Sequence, residues 1–139
     1  MGAWLLSSGN DKFRLGDCLN QYGYVDWSQP KSKDIEVGDL VLIYISKPIG
    51  RVKYLMKVSK RYMPFKETTD NKEYWIDQTI YEKGVKNNIY YRLKFQKELE
   101  DDDRLTYYAL SHNGLGNVQG MQKLVGEKLS YFQKIEILK

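Results

Sequence analysis

Cys18 and His112 are the single cysteine and the single histidine of the chain, so any thiol–imidazole nucleophile would have to be built from these two. Cys18 falls in the series Leu15, Cys18, Leu19, Tyr22, the spacing of one face of a helix. A free cysteine there is expected to act as a small apolar core residue. One cysteine and one histidine cannot complete a zinc site, which takes about four donors. Asp101-Asp102-Asp103 supplies carboxylates, but neighbours in one turn do not converge on a cation from several directions. Gly114, Gly116 and Gly120 do not match Gly-x-Gly-x-x-Gly, and the chain has no Walker Gly-Lys-Ser/Thr. No metal and no cofactor is expected, and a binding module is expected rather than an enzyme.

Binding chemistry is better supplied. Twelve tyrosines, three tryptophans and four phenylalanines make 14% of the chain aromatic. The net charge of +4 is unevenly spread. Arg51, Lys53, Lys57, Lys60, Arg61 and Lys66 form a stretch without an acid, whereas residues 67–103 hold ten acids against six cations. A local basic run suits an anionic partner; equally, such cations solvate the open face of a strand. Aromatic faces, amide-rich turns and cations together suit a flat polar heterocycle attached to phosphate.

The elements that must position these groups can be read from periodicity. Ala3–Leu6 reads as a first strand, broken by Ser7-Ser8-Gly9-Asn10-Asp11, residues that favour turns and caps. The helix around Leu15–Tyr22 should end at Gly23. Residues 24–33, with Pro30 and the pair Asp26-Trp27, read as an exposed loop. Leu40–Ile45 is rich in β-branched and aromatic residues and reads as a buried strand. After a turn over 46–50, Val52, Tyr54, Met56 and Val58 alternate with Arg51, Lys53, Lys57 and Ser59, which predicts a hairpin with its cations on one face. A short helix is expected over 74–83 with Trp75, Ile76, Ile80 and Tyr81 inward, then a strand over 89–95. An acidic turn, a helix over 105–110, a turn-rich stretch over 112–120, a helix over 127–131 and a final strand over 135–138 complete the chain.

With 139 residues the chain suits one domain, residues 1–139, of α+β class. The longest apolar run, Leu40–Ile45, is far short of the ~20 residues that span a bilayer. No basic leader with a cleavage site, no myristoylation pattern, no internal disulfide and no Asn-x-Ser/Thr sequon is present, so a cytoplasmic setting is expected.

The order of motifs carries a resemblance. Trp4-Leu5-Leu6-Ser7-Ser8-Gly9-Asn10, a helix, Tyr22-Gly23-Tyr24-Val25-Asp26-Trp27, and then Val37-Gly38-Asp39-Leu40-Val41-Leu42-Ile43-Tyr44-Ile45-Ser46 resemble the EVE family. EVE belongs to the PUA-like superfold and is related to YTH domains. Residues Gly114 to Leu124 are similar to an EVE C-terminal segment of the kind found in bacterial defence proteins. The resemblance implies a twisted β-barrel flanked by short helices, with a pocket for one extruded base bearing 5-methylcytosine, 5-hydroxymethylcytosine or N6-methyladenine. It further implies the N-terminal specificity module of a modification-dependent restriction system, fused to or associated with a nuclease or NTPase effector.

By the same resemblance, Trp27 matches one wall of the methyl-base cage, and Ser7, Ser8 and Asn10 match the polar turn at the pocket mouth. Asp26 adjoins the cage as an acceptor for an exocyclic amine. Trp75 is the expected second wall, with Tyr62 and Tyr44 as alternatives; Asn113, Asn117 and Gln119 are expected to border the pocket or touch backbone. Arg51, Lys53, Lys57, Lys60 and Arg61 are the expected phosphate contacts. DNA with a modified base is the expected partner. A PUA- or YTH-like domain reading a modified or structured RNA is the alternative, and a small-molecule or protein-interaction module is a third.

Overall fold

The computed structural model describes residues 2–9, 11–28, 34–87, 89–116 and 118–139. Its elements are β1 (Ala3–Ser8), α1 (Leu15–Tyr22), β2 (Tyr24–Ser28), β3 (Leu40–Ile45), β4 (Arg51–Met63), α2 (Gln78–Asn87), β5 (Tyr90–Glu98), α3 (Tyr107–Ser111), β6 (Met121–Lys123) and α4 (Glu127–Lys134). Single 3₁₀ turns occupy Phe65–Glu67, Lys72–Tyr74 and Asp103–Leu105.

The strands form one six-stranded sheet in the order β2-β5-β4-β3-β1-β6. Only β1 and β3 run parallel, joined by the crossover through α1 and β2; the other pairs are antiparallel. All six strands contribute to one buried cluster that includes Trp4, Trp27, Val41, Met56, Tyr91 and Met121. In a flat sheet β5 and β6 would stand about 19 Å apart, four strand spacings. Yet the Tyr91 hydroxyl donates to Met121 Sδ at 3.9 Å. The sheet therefore curls around this cluster, although its ladder stays open between β2 and β6. A second cluster covers the other face, where Leu5, Leu42, Tyr44 and Val52 meet Leu105, Leu110, Phe132, Ile135 and Leu138.

Several expectations need correction. Tyr24–Ser28 is a strand, and Asp26 and Trp27 are buried, 3% and 8% exposed. Pairing with β5, Trp27 opposite Tyr91, supplies the ladder that local propensity did not suggest. Pro30 lies outside the described residues. Residues 135–138 are not a strand: β6 already lies at the β1 edge, and Ile135 and Leu138 cap the second cluster instead. The 74–83 helix is a 3₁₀ turn followed by α2, and Ile76 and Ile80 are 54% and 37% exposed.

The hairpin alternation also breaks once. Ile43 pairs with Tyr54 but Tyr44 pairs with Val52, so Lys53 is an extra residue in a bulge. Tyr54, Met56 and Val58 face the inner cluster while Val52 joins the outer one. Helix α1 ends as its sequence suggests: Gly23 has φ 76° and its N–H donates to the Leu19 carbonyl at 2.8 Å.

Candidate functional site

The turn after β1, the middle of β2, the segment 65–75, helix α2 and the start of β5 enclose a cavity of about 400 Å³. Its aromatic wall is built from three separate parts of the chain. Phe13 lies between the two indoles, with its ring centroid 5.5 Å from Trp27 in an edge-on arrangement and 4.6 Å from Trp75. Phe13 is set by the turn that the small polar residues allow, since the N–H groups of Lys12 and Phe13 both donate to the Gly9 carbonyl. A β-bridge then ties Phe13 to Trp75. The Ile76 N–H donates to the Lys12 carbonyl at 2.8 Å and the Arg14 N–H to the Tyr74 carbonyl at 2.8 Å, which staples the Trp75 segment against Phe13.

Hydrogen bonds orient the second indole. Trp75 Nε1–H donates to Asn71 Oδ1 at 3.2 Å, and Asn71 Nδ2 donates to the Asp26 carbonyl at 3.0 Å. Asn71 is buried and spans a sequence separation of 45 residues to do this. Trp27 differs: its Nε1–H is buried and has no partner among the described residues. Such a donor costs about 1–3 kcal/mol when left unsatisfied.

The Asp26 carboxylate is already engaged. Arg92 Nε and Nη2 donate to its two oxygens at 2.7 and 2.9 Å, and the Thr69 N–H donates to Oδ2 at 2.9 Å. Arg92 also stacks 4.1 Å from the Tyr24 ring centroid. This clamp fixes β2, β5 and the 68–71 turn around the cavity. Tyr90 and Tyr91 close the far side. Burial, with a smaller effect of Tyr81, pushes the Tyr90 hydroxyl up to about 12, so it stays a neutral donor at physiological pH. Gly84 of α2 lets the helix approach, because a Cβ there would lie 3.2 Å from the Tyr90 hydroxyl.

Of the residues expected to contact a base, Ser7, Ser8, Asp26, Trp27 and Trp75 line this one cavity. Asn10 and Asn117 lie outside the described residues. Tyr44 sits in the outer cluster, its ring 6.5 Å from Tyr107, away from the cavity lining. Tyr62 is exposed on β4, and Asn113 is exposed with its amide donating to the Ala109 carbonyl. Gln119 is exposed too, although the next residue, Gly120, accepts from the Ser7 N–H at 2.8 Å and so abuts the cavity-lining end of β1.

The basic residues divide by what they touch. Arg51 donates to the carbonyls of Val52 and Leu99 and pairs with Asp101, so it pins the acidic turn. Arg61 donates to the Ile35 carbonyl at 2.7 Å. Lys53 lies over the Tyr54 ring, 5.6 Å from its centroid. Lys57 and Lys60 are exposed and stand opposite Lys94 and Arg92 on β5. Lys12 and Lys83 line the cavity itself, and neither was singled out from sequence. Phe13 and Asn71 were missed as well. Asn71 sits in the turn-forming run Thr68-Thr69-Asp70-Asn71, but nothing local marks its distant partners.

Burial decides the state of the one thiol. Burial, with smaller contributions from Asp26 and Glu73, pushes the Cys18 thiol up to about 12, and Cys18 is 1% exposed. It is therefore a protonated core residue at neutral pH. Among the described residues, no three His, Cys, Asp or Glu side chains are grouped to hold a metal ion. Among them, too, no helix is long and apolar enough to cross a membrane.

No protein-family model matches the chain, and no curated protein matches it. Solved structures do. Human THYN1 in complex with 5-methylcytosine-containing DNA superposes with a TM-score of 0.64 at 13% identity, over 100% of this chain and 99% of that one. An ASCH protein from Zymomonas mobilis gives 0.67 at 8% identity, over 96% and 94%. The N-terminal domain of McrB from Thermococcus gammatolerans, bound to m5C DNA, gives 0.50 at 18% identity, over 100% of both chains. The curled six-stranded sheet, its helices and these superpositions agree: the chain has the α+β fold that THYN1 and the ASCH protein share, as the resemblance in motif order implied.

Proposed function

We propose that this domain binds DNA carrying a modified base and takes that base, flipped out of the duplex, into the cavity that Trp27, Phe13 and Trp75 line on one side. The observation that carries the reading is the convergence of two indoles on one phenylalanine beside a buried, unpartnered Trp27 N–H. Aromatic walls take a flat ring, and the free indole donor takes a carbonyl or ring nitrogen on its edge. The volume of about 400 Å³ falls within the range of small-molecule sites. Two structures that share the fold, human THYN1 and the McrB N-terminal domain, hold 5-methylcytosine DNA, which supports the same class of ligand here.

Magnitudes set the design. Extruding a base costs a few kcal/mol, and one aromatic stack returns ~1–3 kcal/mol. A single methyl group contributes only about 0.8 kcal/mol of burial. Discrimination therefore rests on the fit of the walls and on the polar edge, where Asn71, Thr69 and the Asp26–Arg92 clamp hold the geometry. Exposed Lys57 and Lys60, with Lys12 and Lys83 at the cavity, supply the salt-dependent attraction to phosphate. Within a cell the domain acts as a reader without chemistry of its own, in the cytoplasm, directing a nuclease or NTPase effector of a modification-dependent restriction system.

The test is a fluorescence-anisotropy titration at two salt concentrations against matched duplexes carrying C, 5-methylcytosine, 5-hydroxymethylcytosine, A or N6-methyladenine, plus a methylated single-stranded RNA. Tighter binding to one modified duplex is the expected result. Equal, salt-sensitive binding to all duplexes sinks the reading. Preference for the RNA replaces it with an RNA reader that exploits the 2′-hydroxyl.

A further inference from the structure

Tyr62 has a conformation that tyrosine rarely adopts. Its φ is 54°, in the left-handed region that bulky residues avoid. The cause is a bulge in β4 that follows those at Lys53 and between Val58 and Lys60: Lys60 stands opposite Arg92 and Met63 opposite Tyr90, three steps on β4 against two on β5. The bulge turns the tyrosine outward, and it is 58% exposed. It is also steadied. The Arg61 guanidinium lies 5.0 Å from its ring centroid, and Arg61 is itself anchored on the Ile35 carbonyl.

Its place relative to the cavity gives this device a use. Phe65, three residues on, lines the cavity, so the two Cα atoms are at most about 11 Å apart. Met63 pairs with Tyr90, another lining residue. Lys60, Arg61 and Lys66 flank Tyr62 in sequence, and no acid occurs between Asp39 and Glu67, although the Ile35 that holds Arg61 sits between Asp34 and Glu36. An aromatic ring held outward against the Arg61 guanidinium, a few residues from a pocket for one base, complements a duplex from which that base has left.

We propose that Tyr62 enters the gap left in the base stack when the modified base is extruded, so that the domain reads duplex rather than single-stranded DNA. The inference rests on the base-flipping reading above. A flipped base leaves its neighbours unstacked and its partner base unpaired, and a planar side chain inserted there restores stacking. Strain of this kind persists where the fold holds it for a function. A single strand has no such gap, so Tyr62 contributes to duplex binding alone.

The experiment compares the wild-type domain with Tyr62→Asn, Tyr62→Ala and Tyr62→Phe on the preferred modified duplex and on the same modified strand without its complement. Asparagine accepts left-handed backbone, so Tyr62→Asn should melt no lower than wild type. Tyr62→Asn and Tyr62→Ala should weaken duplex binding at least tenfold and single-strand binding less than twofold, with Tyr62→Phe close to wild type. Equal losses on both DNAs, or no loss on the duplex, overturn the inference while leaving a wild-type preference for the modified base intact. A wild-type domain with no such preference overturns the base-flipping reading and this inference together.

Discussion

Asn71 holds Trp75 by its indole: Nε1–H donates to Asn71 Oδ1 at 3.2 Å, while the other end of the same carboxamide is fixed to the backbone of β2. The wall of the cavity is thus oriented by a buried amide and not by packing alone. Removing that amide strands the Asp26 carbonyl and frees the indole to rotate. Asn71→Ala should destabilise the fold by about 1–3 kcal/mol and weaken modified-DNA binding. Urea unfolding and anisotropy check both; unchanged affinity in the folded variant means that Trp75 needs no positioning.

The two tryptophans call for different substitutions. Trp27 is 8% exposed and belongs to the inner cluster, so Trp27→Ala should cost ~3–5 kcal/mol and blur any binding result. Trp27→Phe keeps a six-membered ring and removes the unpartnered donor together with the pyrrole part of the indole. It should stay folded and lose about 3- to 10-fold in affinity, the value of one hydrogen bond. Half-buried Trp75 tolerates Trp75→Ala, which should cost at least about tenfold from the lost stack. A Trp27→Phe variant with wild-type affinity would show that the indole N–H meets no acceptor on the base.

Asp26 and Arg92 form a bidentate pair across β2 and β5, with side chains 1% and 17% exposed. Breaking one partner leaves a buried charge alone. Asp26→Ala should lose about 3–5 kcal/mol, and the double variant Asp26→Leu with Arg92→Met should recover much of it. Denaturant midpoints decide the matter. Equal stability of the single and double variants would mean that the clamp does not behave as a buried pair.

Asp39 ties the N-terminal strand to the turn before β3. Burial favours its neutral form, but the Glu36 N–H, the Trp4 indole and the Gly2 N–H all donate to it and together hold its carboxyl below the ordinary 3.8. A depressed folded value means that the stabilisation is complete above the unfolded value and fades as pH falls through the folded one. The stability gap between wild type and Asp39→Asn should therefore be largest near neutral pH and shrink below about pH 4. A gap that stays constant down to roughly pH 2 would show that the carboxylate charge plays no part.

Lys57 and Lys94 face each other across β4 and β5, an arrangement of like charges that a ladder normally avoids. Lys57→Gln should leave stability unchanged or slightly raised. It should weaken all DNAs by the same factor and lower the salt slope by about one. Loss of preference for the modified base, with the salt slope intact, would instead place Lys57 at the base.

Local rules reached far along this chain. Helix α1 with Gly23 at its end and strand β3 follow from side-chain period and turn chemistry, because each depends on neighbours within a few residues, whereas β1 runs past Leu6 through Ser7 and Ser8, which pair with Tyr44 and Ile45 of β3 instead of opening a turn. The order of these motifs was enough to anticipate the α+β fold that the THYN1 and ASCH structures share. Residues 24–28 and 135–138 escaped local rules. The first became a strand only through its ladder with β5, and the second was drawn off to cover the outer core. Trp75 was the expected second wall with Tyr62 and Tyr44 as alternatives; the bulges in β4, the curl of the sheet and the contact with Phe13 set the three apart in space. Likewise, residue type cannot tell an engaged Arg51 from an exposed Lys57. Those distinctions depend on residues brought together from distant parts of the chain, and such contacts leave no trace in any single window of sequence.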